Sequence, residues 1–211
     1  KEHGLRLIVG ARLVFMDGTP DILAYPRDRV AYANLTRLLT RGNLRAPKGE
    51  CHLCFADLLD HAEGLCCIVL PHADSQPLTY ERLSTHLLDL RKACGAVWLA
   101  APFSFDGEDR RTLRRLNALA SQTDARLIAT TEPLMHVPER RPLLDVVTCI
   151  REKTKLENAG ALLAKNAERH LKPAQEMARL YVDAPDAVSE TLRFLDGIAF
   201  SMEDLRYEYP E

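Results

Sequence analysis

Ala125-Arg-Leu-Ile-Ala-Thr-Thr-Glu-Pro-Leu-Met-His136 runs directly into Val137-Pro-Glu-Arg-Arg-Pro-Leu-Leu-Asp-Val-Val-Thr-Cys-Ile-Arg151. The first part reads as a buried strand over Arg126 to Thr130, and Pro142 suits the first turn of the helix that follows. Glu132 and His136 are therefore delivered just past the downstream end of a strand, where βα folds place their chemistry. Two groups do not make a metal site, so their plain reading is a helix-capping acid and a loop histidine.

Working outward, the chain alternates strands with helices. Leu65 to Leu70 is wholly apolar, as in a parallel sheet covered on both faces, and Val97 to Ala101 repeats the pattern. Tyr80 to Cys94 and Glu108 to Ser121 are helices between these strands, the second with Leu113, Leu116 and Ala120 inward and Arg110, Arg111, Arg114 and Arg115 outward. Near the start, Leu5 to Val9 and Arg12 to Phe15 are short apolar runs. A turn at Asp17-Gly18 then joins a strand near Ile22 to Tyr25. Asp28 caps a helix with the stripe Tyr32, Leu35, Leu38 and Leu39 that ends by Gly42, and a short helix around Asp57 to Ala62 closes at Gly64. From about Glu152 the pattern is helical only, with segments opening at Pro173 and Pro185. The expected fold is α/β, with a barrel or sheet portion over 1–151 and a helical extension over 152–211.

Composition bounds the function. A chain of 211 residues with 46% hydrophobic and 27% charged residues can bury a core as one domain or one domain plus an appendage. Its net charge of −2 gives no global attraction for nucleic acid. Its six cysteines, with Cys66, Cys67 and Cys149 inside apolar runs, suit free thiols in a reducing cytoplasm. No run reaches the ~18 apolar residues of a membrane span, and the start lacks the long apolar core of a signal peptide. Lys1 to Gly4 reads as the last turn of a helix, and Tyr207 to Glu211 as a linker, so both ends are expected to continue into a larger protein.

Several motifs compete with bland readings. Cys51-His-Leu-Cys54 has zinc-ligand spacing, but a structural site needs a second pair and none exists. Arg37, Arg41, Arg45 and Lys48 flank a polar basic loop and could meet DNA phosphates; a solvated surface explains them as well. Nucleophile elbow, P-loop and dinucleotide fingerprint are all absent from the sequence.

Six stretches together carry a resemblance: Leu7-Ile-Val-Gly-Ala-Arg-Leu13, Tyr32-Ala-Asn-Leu-Thr-Arg-Leu-Leu-Thr-Arg-Gly42, Ala46-Pro-Lys-Gly-Glu-Cys-His-Leu53, Leu127 to His136, Glu139 to Thr154, and Glu168-Arg-His-Leu-Lys-Pro173. They resemble the PHP (polymerase and histidinol phosphatase) domain of bacterial C-family DNA polymerases, the DNA polymerase III alpha subunit family. Lys48 to Leu53, Arg140 to Arg151 and Leu205 to Pro210 look most like its error-prone alpha-subunit branch. The resemblance implies a distorted βα barrel of PHP type, here incomplete because its first strands would precede Lys1.

It also implies a set of metal-ligand positions. The glutamate expected after the first apolar strand falls on Arg12, and the acid after Val97 to Ala101 on Pro102. The Asn-Asp-x-His run becomes Thr131-Glu132-Pro133-Leu134, with His136 two places late, and a cysteine position falls near Pro71. A guanidinium cannot ligate a cation. The site is thus expected to be vestigial, with Arg12 salt-bridged to Glu132, no metal and no cofactor in this segment.

The parent protein implied is a DNA-directed DNA polymerase active in replication, damage-induced mutagenesis and translesion synthesis. Mg2+ is expected at a palm domain elsewhere in that protein. The implied partners are the palm and thumb domains of the same chain, DNA through the parent, and proteins of a mutagenic complex. The alternative is a metal-dependent PHP phosphoesterase or 3′-5′ proofreading nuclease using Glu132 and His136.

Overall fold

Why five short strands hold together follows from where their side chains go. The computed structural model describes residue 4 and residues 6–71, 77–94 and 96–205. Its strands form one mixed sheet in chain order: β1 (Ala11–Leu13), β2 (Ile22–Pro26), β3 (Leu65–Val69), β4 (Ala96–Pro102) and β5 (Arg126–Thr130). β1 with β2 and β2 with β3 are antiparallel, whereas β3–β4 and β4–β5 are parallel. Among the described residues this is an α/β fold whose sheet has two edges, β1 and β5.

Alternation assigns each strand residue to a face. Leu65, Cys67 and Val69 of β3 and Val97, Leu99 and Ala101 of β4 join the larger core. Its other side is supplied by α1 (Arg29–Arg45), α2 (Phe55–Leu59), α3 (Pro77–Cys94) and α4 (Asp109–Thr123). Cys66, Ile68, Trp98, Ala100 and Ile128 point the other way, into a second core with Phe194 and Ile198. Burial on both faces is what makes these strands apolar throughout, each large side chain contributing roughly 1.5–3 kcal/mol.

The second core changes the reading of the tail. After α5 (Arg141–Arg151), α6 (Leu156–Ala159) and α7 (Ala174–Leu180), α8 (Pro185–Asp196) lies on the sheet. Buried Glu190 accepts a hydrogen bond from Trp98 Nε1 at 3.0 Å, and Ala199 and Phe200 N–H both donate to Arg27 O at 2.8 Å. The segment expected as an extension after 151 thus supplies one of the sheet's two covering layers.

Two other expectations need correction. Residues 6–10 carry no regular strand, and Leu5 lies outside the described residues. The β1–β2 ladder ends at Ala11 opposite Ala24, and its continuation would meet Pro26, which has no N–H to donate. The first helix does not stop at Gly42 but runs to Arg45. Gly42 is there for space: a Cβ would sit 2.5 Å from Cys51 Sγ and 2.7 Å from Leu53 Cδ2.

The turn at Asp17-Gly18 and the cap at Asp28 form as expected. Asp17 accepts from Thr19 N–H (3.1 Å) and hydroxyl (2.6 Å), Gly18 takes φ +78°, and Asp28 caps α1 by accepting from Ala31 N–H at 2.9 Å. The helix end expected at Lys1 to Gly4 falls mostly on residues outside those described.

Candidate functional site

The strand directions bring one end of every strand to the same edge. The parallel strands β3, β4 and β5 finish there, leading into Leu70, Pro102 and Thr131. Ile22, which opens β2, pairs with Val69 and with Leu13, so Asp21 and the end of β1 arrive at that edge too. The result is a cleft of about 480 Å³ lined by Arg12, Asp21, Pro102, Asp106, Asp109, Glu132 and Arg169, with Arg115 of α4 at its side. It is large enough for hydrated ions or a phosphate group, so the donor set decides what it can hold.

Each acid in the cleft already has a partner. Arg12 donates to Asp21 at 2.7 Å, and Arg169 donates to Glu132 from Nη2 at 3.0 Å while its Nε donates to Glu132 O, also at 3.0 Å. Buried Asp109 accepts from Ser104 N–H at 2.7 Å and Phe105 N–H at 3.1 Å. Asp106 accepts from Glu108 N–H at 3.0 Å, and that bond holds its carboxyl below the usual range. Among the described residues, no three His, Cys, Asp or Glu side chains converge as a cation cage. A divalent ion bound by oxygen wants several free carboxylate lone pairs, so this donor set does not fit one.

Glu132 itself is held in an uncommon backbone conformation, φ +43°, which costs an ordinary residue about 1 kcal/mol. Its N–H donates to Thr130 Oγ1 at 3.1 Å. Downstream, Leu134 N–H donates to Arg169 O at 2.8 Å and Leu171 N–H to Met135 O at 3.1 Å, so the segment after β5 is stitched to the tail. Arg169 reaches Glu132 through that stitch.

The sequence-derived positions therefore divide. Arg12, Pro102 and Glu132 line the cleft together; Leu134 and His136 do not. The salt bridge expected between Arg12 and Glu132 is absent, because Asp21 lies across the hairpin from Arg12 and Arg169 takes Glu132. Asp21, Asp109 and Arg169 were missed. Asp21 could have been found from the hairpin register, whereas Arg169 lies 37 residues from its partner with no pattern to announce it.

The basic set is likewise engaged. Arg45 donates to both oxygens of buried Asp57 (2.6 and 2.8 Å), and Arg41 donates to Asp60 at 2.9 Å and Asp57 at 3.3 Å. The Arg45 guanidinium holds the Asp57 carboxyl below its ordinary range. Lys48 sits exposed in the following turn. Cys51 and Cys54 are exposed free thiols, Cys54 being the residue before α2, and His52 pairs with Glu50 at 2.9 Å. On α4, Arg110 meets Asp183 at 2.8 Å and Arg111 meets Glu108 at 3.4 Å.

The sheet and its edge cleft define an α/β domain whose strand-end acids are engaged by guanidinium and backbone partners. No family model matches the chain. It is 51% identical, over 99% of its length, to an error-prone DNA polymerase of Bradyrhizobium diazoefficiens. It is 47% identical over its whole length to one of Brucella abortus and 44% identical over its whole length to one of Caulobacter vibrioides. The chain spans 18–19% of the length of these curated relatives. Its homologues are thus proteins named error-prone DNA polymerase, similar to it from end to end of this sequence. No helix among the described residues is long and apolar enough to cross a membrane.

Proposed function

We propose that this chain is the PHP-type segment of an error-prone DNA-directed DNA polymerase, and that its role is architectural. Support comes from whole-length similarity to about a fifth of proteins bearing that name, combined with a cleft whose carboxylates are spent on guanidinium and backbone partners. In this reading the PHP barrel is completed by strands outside the sequence. Primer extension, including synthesis across lesions in damage-induced mutagenesis, occurs at a palm domain that binds Mg2+ elsewhere in the protein. The partners are that palm, the thumb and proteins of a mutagenic complex, in the cytoplasm. DNA is held by the rest of the polymerase, and Arg41 and Arg45 fasten α2 rather than phosphate.

What this segment's residues do is structural. Arg12 and Arg169 neutralise Asp21 and Glu132, two of the acids that line the cleft, and Pro102 offers no donor where a ligand would be needed. The phosphoesterase or nuclease alternative needs Glu132 and His136 to converge, and His136 does not line the cleft.

The test is primer extension by the full-length protein. Glu132→Gln should leave the rate within about threefold of wild type, under ~1 kcal/mol of transition-state stabilisation. Absence of extension in the wild-type protein refutes the polymerase assignment. Metal-stimulated release of phosphate or nucleotide that Glu132→Gln abolishes refutes the architectural one.

A further inference from the structure

α5 is oriented against the usual rule for a surface helix. Its buried residues are Thr148 and Cys149, with Leu144 half-buried beside them. The opposite side carries Leu143, Val146, Val147 and Ile150, at spacings i, i+3, i+4 and i+7, with 55, 49, 52 and 72% of each exposed. Four large aliphatic side chains at that spacing form one continuous stripe, the pattern that normally faces a core. Local preference does not explain it, since valine and isoleucine are weaker helix formers than the lysine or glutamate that would serve in solvent. The outer side of α4, by contrast, carries Arg110, Arg111 and Arg114.

We propose that this stripe is a docking face for the remainder of the same polypeptide, outside residues 1–211. The inference rests on the polymerase reading above and adds to it the surface by which the segment engages the rest. Two observations select that occupant over a separate protein. The relatives carry about four-fifths of their length outside the matched region, so a large covalently joined body is at hand. Tethering gives such a body an effective concentration of about millimolar, which a free partner or a second copy seldom matches. Arg151 and Lys153, which follow Ile150 in the chain, are exposed and supply polar groups at one end of the stripe, as at the rim of an apolar contact.

The experiment uses the full-length protein carrying Cys51→Ser and Cys54→Ser, so that the exposed native thiols do not react. Single cysteines are placed by Ile150→Cys and, as a second position, Leu143→Cys; Arg114→Cys and Gln122→Cys on the outer side of α4 are references. Maleimide labelling is followed site by site by peptide mass spectrometry. Both stripe positions should label about tenfold more slowly than the references, as expected for a surface reached only by local opening. A photoreactive residue at Val147 should cross-link to a peptide outside residues 1–211 of the same molecule. Equal labelling rates overturn the proposal, as do cross-links joining two copies or protection that vanishes on dilution. Primer extension measured on the same preparation separates the two readings: its absence refutes the polymerase assignment, while the labelling still reports on the docking face.

Discussion

Replacing Tyr181 with phenylalanine should unfasten the tail from the strand ends without disturbing packing. Tyr181 is fully buried at the end of α7. Its hydroxyl accepts from Thr130 N–H at 3.0 Å and has Thr130 O (2.8 Å) and Ala101 O as acceptors. One hydroxyl has one hydrogen, so it serves these carbonyls in turn. Thr130 O keeps a second partner, Phe103 N–H at 3.1 Å. In Tyr181→Phe the ring and its edge contact with Phe103 remain, but the Thr130 N–H loses this acceptor and Ala101 O this donor. Leaving a buried backbone group unsatisfied costs roughly 1–3 kcal/mol, so the variant should be destabilised by about 2–3 kcal/mol. At roughly 2–4 °C per kcal/mol for a chain of this size, the melting temperature should fall by about 5–10 °C. Urea unfolding followed through Trp98, the single tryptophan, reads the change directly because that indole is buried between sheet and α8. A midpoint unchanged within error would refute the claim that the tail is fastened to β4 and β5.

Other consequences follow from the same contacts. Gly42→Val should destabilise by at least about 2 kcal/mol, since a branched side chain must displace Cys51 and buried Leu53; an unchanged urea midpoint would show that the 51–53 segment yields freely. Asp57 should make stability pH-dependent. Its carboxyl is held below its ordinary 3.8 in the folded protein by Arg45, so its stabilising contribution is complete above the unfolded value and is lost as pH falls through the folded one. Unfolding measured from about pH 7 down to about pH 3 should show wild type and Asp57→Asn converging at the acid end; a constant gap would count against the Asp57–Arg45 pairing.

Much of the architecture is written in local pattern. Leu65 to Leu70 and Val97 to Ala101 announce buried parallel strands because no polar residue interrupts them, and Asp17-Gly18 and Asp28 announce the turn and cap because each performs one local task. Gly42 misleads because the same residue that ends helices also permits close approach, and only the distant Cys51 and Leu53 decide between the two. The cleft shows the same division. Glu132 is recoverable from its place at a strand end, and Arg12 and Pro102 from the positions that the family resemblance implies, but which acid meets which arginine depends on a hairpin and on the 169–171 crossing, both tertiary facts. The helix opening at Pro142 is legible in the sequence, but the outward direction of its aliphatic stripe is not, since periodicity fixes a face and not its direction.

The decisive measurement is anomalous diffraction from crystals of the full-length protein grown in Mn2+. If Arg12 and Arg169 occupy Asp21 and Glu132 as described, the cleft at the strand ends should show no anomalous peak even where manganese is bound elsewhere in the protein. A peak within coordination distance of Glu132, with the Arg169 side chain turned away, would contradict the account.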